Sequence, residues 1–195
     1  MKKILLLAVF AVAAFTVSAQ TEKGKIMLGG SISAGTSKSD VSGAKSATSF
    51  SIMPKAGYFL ANNIAAGLGL GYGYDKDGTG KDETISISPF GRDYISLSDQ
   101  FKFFAELSVP LQFGTSKNAA GDKIAESTSI GAALAPGFAF FPTKKIGIEI
   151  AFGGISFQNI KTEDSAGNKI DAASGNSFNV LGNLMSTNVG IQFHF

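Results

Sequence analysis

His194 is the only histidine of the chain, and there is no cysteine. Chemistry at a serine or threonine nucleophile needs a base beside it, and thiol chemistry needs a cysteine. His194 stands one residue from the end of the sequence with no identifiable partner. The expectation is therefore no catalytic residue and no enzymatic activity. The same inventory removes thiolate and multi-histidine metal sites. Asp75, Asp77, Asp82 and Glu83 crowd into D-K-D-G-T-G-K-D-E, but their spacing departs from the calcium-loop pattern D-x-[DN]-x-[DN]-G. They read as a solvated hairpin tip. Gly67-Leu68-Gly69-Leu70-Gly71 superficially resembles a nucleotide loop, yet it lies in an alternating segment with no helix after it. No metal and no cofactor are expected.

Five charges fall inside the periodic segments: Lys55, Arg92, Lys102, Glu106 and Glu149. Each lies on the small or polar face of its segment. In a narrow interior they have to pair, because an unpaired buried charge is strongly unfavourable. Together they form either a plug of salt bridges or the lining of a gated pore. The plug is the expectation, with room left for local water by the glycines of the third segment.

The elements that must position these charges follow a period of two. At the end of the chain Met185, Thr187, Val189, Ile191, Phe193 and Phe195 form one face, opposite Ser186, Asn188, Gly190, Gln192 and His194. That is a strand with one apolar face. In the third segment Ile64, Ala66, Leu68, Leu70, Tyr72 and Tyr74 alternate with Ala65 and four glycines. Six more segments start near Ile26, Phe50, Glu83, Phe101, Ser129 and Ile146, giving eight strands. Gly153-Gly154 marks an expected bulge, because the apolar phase passes from Ile150 and Phe152 to Ile155 and Phe157. The connections alternate long and short. Two long ones contain Ala120-Gly121-Asp122-Lys123-Ile124 and Ala166-Gly167-Asn168-Lys169-Ile170, read as hairpin tips with type II′ turns.

The amino terminus is of another kind. Lys2 and Lys3 precede an apolar run, and Val17-Ser18-Ala19 supplies small residues for cleavage between Ala19 and Gln20. Residues 1–19 are read as a secretory signal, and 20–195 as one domain. The run is shorter than the roughly 20 residues a spanning helix needs. Without cysteine there is neither a lipoprotein-type anchor nor a disulfide framework. Removing Lys2 and Lys3 leaves fifteen basic residues against fifteen acidic ones. A neutral mature chain argues against nucleic acid as a partner.

Strands of ten or more residues exceed the usual globular length and match the 9–11 residues of a membrane-crossing β-strand. Large apolar side chains occupy one face, and the other carries too little charge to coat a soluble protein. Apolar outward to lipid and small or polar inward satisfies both faces. Lipid leaves no backbone group unpaired, so the sheet must close. Tyr58, Phe101, Phe140, Phe193 and Phe195 near short turns, and Tyr72, Tyr74, Phe113 and Phe178 near long links, fit two interfacial aromatic girdles.

The mature chain resembles the small eight-stranded outer-membrane β-barrels, the family of the OmpA barrel domain and OmpX. The resemblance rests on the signal ending Ala19-Gln20, on Gly57-Tyr58-Phe59-Leu60-Ala61-Asn62-Asn63-Ile64-Ala65-Ala66-Gly67-Leu68-Gly69, and on Ser88-Pro89-Phe90-Gly91-Arg92-Asp93-Tyr94. It implies an all-β, antiparallel up-and-down barrel with both termini periplasmic and four long loops outward. It also implies that Val189, Ile191, Phe193 and Phe195 form the signal read by the barrel-assembly machinery. The expected role is a monomeric, non-enzymatic structural or surface-interaction protein among outer-membrane lipids, with an unidentified extracellular partner. A narrow porin-like or OmpW-like channel for small solutes is the alternative, and a soluble secreted barrel holding an apolar ligand a further one.

Overall fold

Alternation of large and small side chains along extended backbone leaves one face to be covered by something apolar. In the computed structural model, which describes residues 21–37, 46–180 and 188–195, that cover is not a protein core. Ile32, Leu70, Ile85 and Leu107 on the outer face are 52–65% exposed, whereas Arg92, Glu149, Gln192 and His194 inside are 2–4% exposed. The charged and polar side chains are buried, and the large aliphatic ones face out.

The strands are β1 (Ile26–Ser37), β2 (Ala47–Ala61), β3 (Ile64–Lys76), β4 (Gly80–Ser96), β5 (Phe101–Ser108), β6 (Leu111–Asn118), β7 (Lys123–Phe140), β8 (Ile146–Ala151), β9 (Ile155–Asp164), β10 (Gly175–Val180) and β11 (Asn188–His194). They build eight staves: β5 with β6 and β8 with β9 each form one interrupted stave, and β10 and β11 lie along the last, on either side of the segment outside the described residues. Strands β5 and β6 keep one register against both neighbours, with Ser108 opposite Phe90 and Leu111 opposite Ile87. The break between them is Val109-Pro110, where proline has no N–H to give. Strands β8 and β9 are separated by a true bulge. Five residues, from Ala151 to Ile155, match four on β7, from Gly137 to Leu134. A side chain at Gly154 would strike the Leu134 carbonyl, so the glycine pair lets the strand slip and Ile155 and Phe157 return to the outer face. Strands β10 and β11 pair with β9 and β8 respectively.

Every adjacent pair is antiparallel, and β11 pairs with β1 to close the barrel, Ile191 opposite Gly30 and Phe193 opposite Leu28. The seam ends on mutual backbone bonds between Ile26 and Phe195, N–O 3.0 and 2.9 Å. No sheet edge is left open there for lipid to meet, as a membrane-spanning sheet requires. The outer face of β3 from Ile64 to Tyr74 is uncharged. Its ten steps of about 3.3 Å, tilted by about 40°, cover about 25 Å, the height of a transmembrane belt. Asp93 lies opposite Ile64 at the short-turn end of that belt. Among the described residues no helix is long and apolar enough to cross a membrane.

Two expectations about the links change. Links 75–82 and 114–127 are mostly paired strand, and β4 and β7 have 17 and 18 residues, more than a membrane needs. The surplus stands beyond the belt as hairpins, so the carboxylate-rich link narrows to a tip at residues 77–79. The Gly121 and Gly167 tips are not type II′ turns. Each is a three-residue loop closed by Asn118 N to Asp122 O at 2.9 Å and by Asp164 N to Asn168 O at 2.8 Å. The glycine comes last with positive φ, +96° and +85°, the left-handed position of a type I turn with a bulge. At its own tip Asp77 accepts from Thr79 N, Thr79 Oγ1 and Gly80 N at 2.7–3.0 Å, and these donors lower its pKa. Asp77 is thus occupied in capping a turn. Among the described residues no cluster suited to a metal ion exists.

Candidate functional site

The interior is organised by Arg92, which β4 projects inward opposite Ala65, toward the short-turn end of the belt. Its register partner on β5 is Glu106, and the pair is made through Nε at 3.0 Å and Nη2 at 2.6 Å on one carboxylate oxygen. Across the lumen, Nη1 reaches both oxygens of Glu149 at 2.6 and 2.7 Å and the Tyr94 hydroxyl at 2.8 Å. Lys55 from β2 takes the other oxygen of Glu106. The Tyr94 hydroxyl donates to Glu149 at 3.0 Å, and the Gln192 amide lies 3.4 Å from the same carboxylate. Two cations and two anions thus neutralise one another with hydrogen bonds at each charge, the arrangement that makes burial of ions tolerable.

Aromatic rings complete the closure. The Arg92 guanidinium lies 4.2 Å from the Phe104 ring centre and 5.8 Å from that of Phe90. Nearer the short turns Phe59, Phe104, Phe141 and Met27 are fully buried. His194 sits among them, its ring 5.6 Å from Phe59 and 5.2 Å from Phe141. Its backbone N–H donates to the Lys145 carbonyl at 2.8 Å. The histidine is packing in the floor of the barrel.

Three inward glycines are taken up by rings rather than by open space, while Gly69 and Gly73 on β3 face only Lys55, Ser88 and Thr84 at 3.4 Å or more. A Cβ at Gly67 would come within 2.7 Å of the Phe90 ring, one at Gly137 within 2.3 Å of Phe104, and one at Gly147 within 3.0 Å of Phe141. Each of these three receives a ring from another stave. Beside the network a cavity of about 50 Å³ is lined by Lys55, Arg92, Glu149 and Gln192 among others, and toward the hairpins one of about 430 Å³ is lined by Ser37, Ser49, Asp75 and Asp82 among others. Toward the hairpins Gln112, Ser129 and Gln158 form a hydrogen-bonded layer at 2.9–3.1 Å.

Of the five charges expected to meet, four do. Lys102 does not. It is inward and buried, but its register partner is Ser96, close to the short-turn rim. Its ammonium donates to Ser96 Oγ at 2.6 Å and lies 3.4 Å from Asn63 Oδ1. Sequence reasoning omitted Tyr94, Gln192 and the ring layer. Their parity with Arg92, Lys55 and His194 was the available signal. Val189, Ile191 and Phe193 lie on the outer face of β11, and Phe195 completes the seam. Ala19 and Gln20, with the whole residue 1–19 segment, lie outside the described residues.

A closed antiparallel barrel with an aliphatic exterior and a charged, ring-packed interior is a transmembrane β-barrel. The family model of the outer membrane protein beta-barrel domain matches residues 4–192, and the chain belongs to that family. Among solved structures it is similar to Neisserial surface protein A (TM-score 0.55, 16% identity, 89% of this chain and 98% of that one). It is likewise similar to the outer membrane protein OprG from Pseudomonas aeruginosa (TM-score 0.53, 14% identity, 91% and 99%). At these identities the likeness is one of fold. Comparison with curated proteins gave no significant match.

Proposed function

We propose that this outer-membrane protein is a closed, non-enzymatic barrel that acts through the hairpins standing beyond the membrane. One observation carries the reading: the Arg92 network joins β2, β4, β5 and β8 across the lumen, with a layer of buried rings packed beneath it, and this supports a plug over an open pore. The OmpW-like or porin-like channel is the reading that this layer disfavours. A soluble carrier of an apolar ligand does not fit either, because the apolar side chains face outward rather than into a cavity.

In this reading the short turns and both ends of the chain lie in the periplasm, and the 77–79, 119–121 and 165–167 tips lie outside the cell. The barrel acts as a monomer. Val189, Ile191, Phe193 and Phe195 present the pattern recognised by the assembly machinery, and residues 1–19 are removed on export after Ala19. Similarity to a protein named for the cell surface supports a surface role.

Absence of native cysteine makes the orientation directly testable. A membrane-impermeant maleimide added to intact cells is expected to label Ala119→Cys and Ala166→Cys. Asn62→Cys, in a short turn, should react only after the outer membrane is opened. Labelling of Asn62→Cys but not of the tips in intact cells would reverse the assignment and remove the surface role.

A further inference from the structure

Where β3, β4 and β6 leave the membrane belt, three lysines stand side by side. Register places Lys76 opposite Lys81 and Lys81 opposite Lys117. Directly opposed like charges weaken a strand pair. Neighbouring strands are about 4.8 Å apart, so three ammonium groups share a short stretch of rim. One carboxylate bridges two of them: Glu83 lies 2.7 Å from the Lys117 ammonium and 3.7 Å from that of Lys81. The group retains an excess of two positive charges.

Height along the barrel identifies what meets this excess. Lys81, Glu83 and Ile85 share the outer face of β4, and Ile85 is paired with Tyr72 and Phe113. Those three side chains are 41–58% exposed and lie near the upper end of the belt, one outward position below Tyr74 and Glu83. Four residues carry the strand from Ile85 to Lys81, about 10 Å along the membrane normal. That height is the headgroup zone of a bilayer. Lysine stems laid on an apolar margin with their ammonium groups lifted into that zone suit a phosphate.

We propose that Lys76, Lys81 and Lys117 form a docking surface for the phosphate groups of a phosphorylated membrane lipid. The inference rests on the proposed orientation only for which leaflet supplies the lipid. A phosphate here relieves the opposed lysines and competes with Glu83, so the carboxylate sets the affinity.

Native mass spectrometry of the detergent-folded protein with bisphosphorylated lipid A, and with the same lipid dephosphorylated, tests it. The phosphorylated lipid should remain bound and the dephosphorylated one should not. The triple variant Lys76→Gln, Lys81→Gln, Lys117→Gln should bind on the order of 100-fold more weakly, while Lys144→Gln at the other end binds as wild type. Glu83→Gln, which spares the lysines, should bind more tightly and keeps the test open should the triple variant fail to fold. Equal retention of both lipids, wild-type binding by a folded triple variant, or weaker binding by Glu83→Gln overturns the proposal. Detergent binding is independent of orientation, so reversed maleimide labelling with intact lipid retention would remove the leaflet assignment alone.

Discussion

Arg92→Met is expected to destabilise the folded barrel by about 3–5 kcal/mol, because it leaves Glu149 and one oxygen of Glu106 buried without a cation. The cost comes less from the lost attraction than from the charge left without a partner. Methionine fills much of the volume between Phe90 and Phe104, so packing loss contributes little. A compensating change separates the two effects. In Arg92→Met with Glu149→Gln, Lys55 still neutralises Glu106, and no isolated carboxylate remains. Much of the lost stability should therefore return. Urea unfolding in detergent micelles, followed by the gel shift between folded and unfolded barrel, measures both. A single variant within about 1 kcal/mol of wild type would mean that water reaches Glu149, contrary to a sealed lumen.

Deleting Phe195 should reduce insertion into the outer membrane far more than it reduces the stability of barrel already folded. The deletion removes the two backbone bonds to Ile26 that end the closing seam, worth about 1–3 kcal/mol together. Phe195→Ala keeps both bonds and is expected to unfold near the wild-type urea midpoint. If the aromatic ring is read during assembly, the alanine variant still accumulates outside the membrane. Fractionation of cells compared with urea midpoints of refolded protein separates the roles. Normal insertion of both variants would leave Phe195 a seam residue with no part in assembly.

The barrel was legible because its two solvents differ so much in what they accept. Ile64 to Tyr74 alternates large and small with no exception save Ala66, and the phase change at Gly153-Gly154 was readable as a bulge. Parity also placed Arg92, Glu106 and Glu149 inward. Height was not readable, since it depends on register. Lys102 has the parity of Glu106, yet pairing with Ser96 puts it near the rim while Glu106 meets Arg92. The ring layer was missed for a related reason. Phe90 and Phe104 share faces with polar residues, and only strand pairing and closure show Gly67 and Gly137 lying under their rings. The turn at Gly121 depended on which residues close the hairpin, a hydrogen bond from Asn118 to Asp122 that spacing alone does not determine.

The network at Arg92 carries the central claim, that the barrel is sealed. Purified protein inserted into planar bilayers measures this directly. The wild type is expected to insert without conductance steps. Discrete steps in the wild type, abolished by substituting Arg92 or Glu106, would show that the network lines an open path.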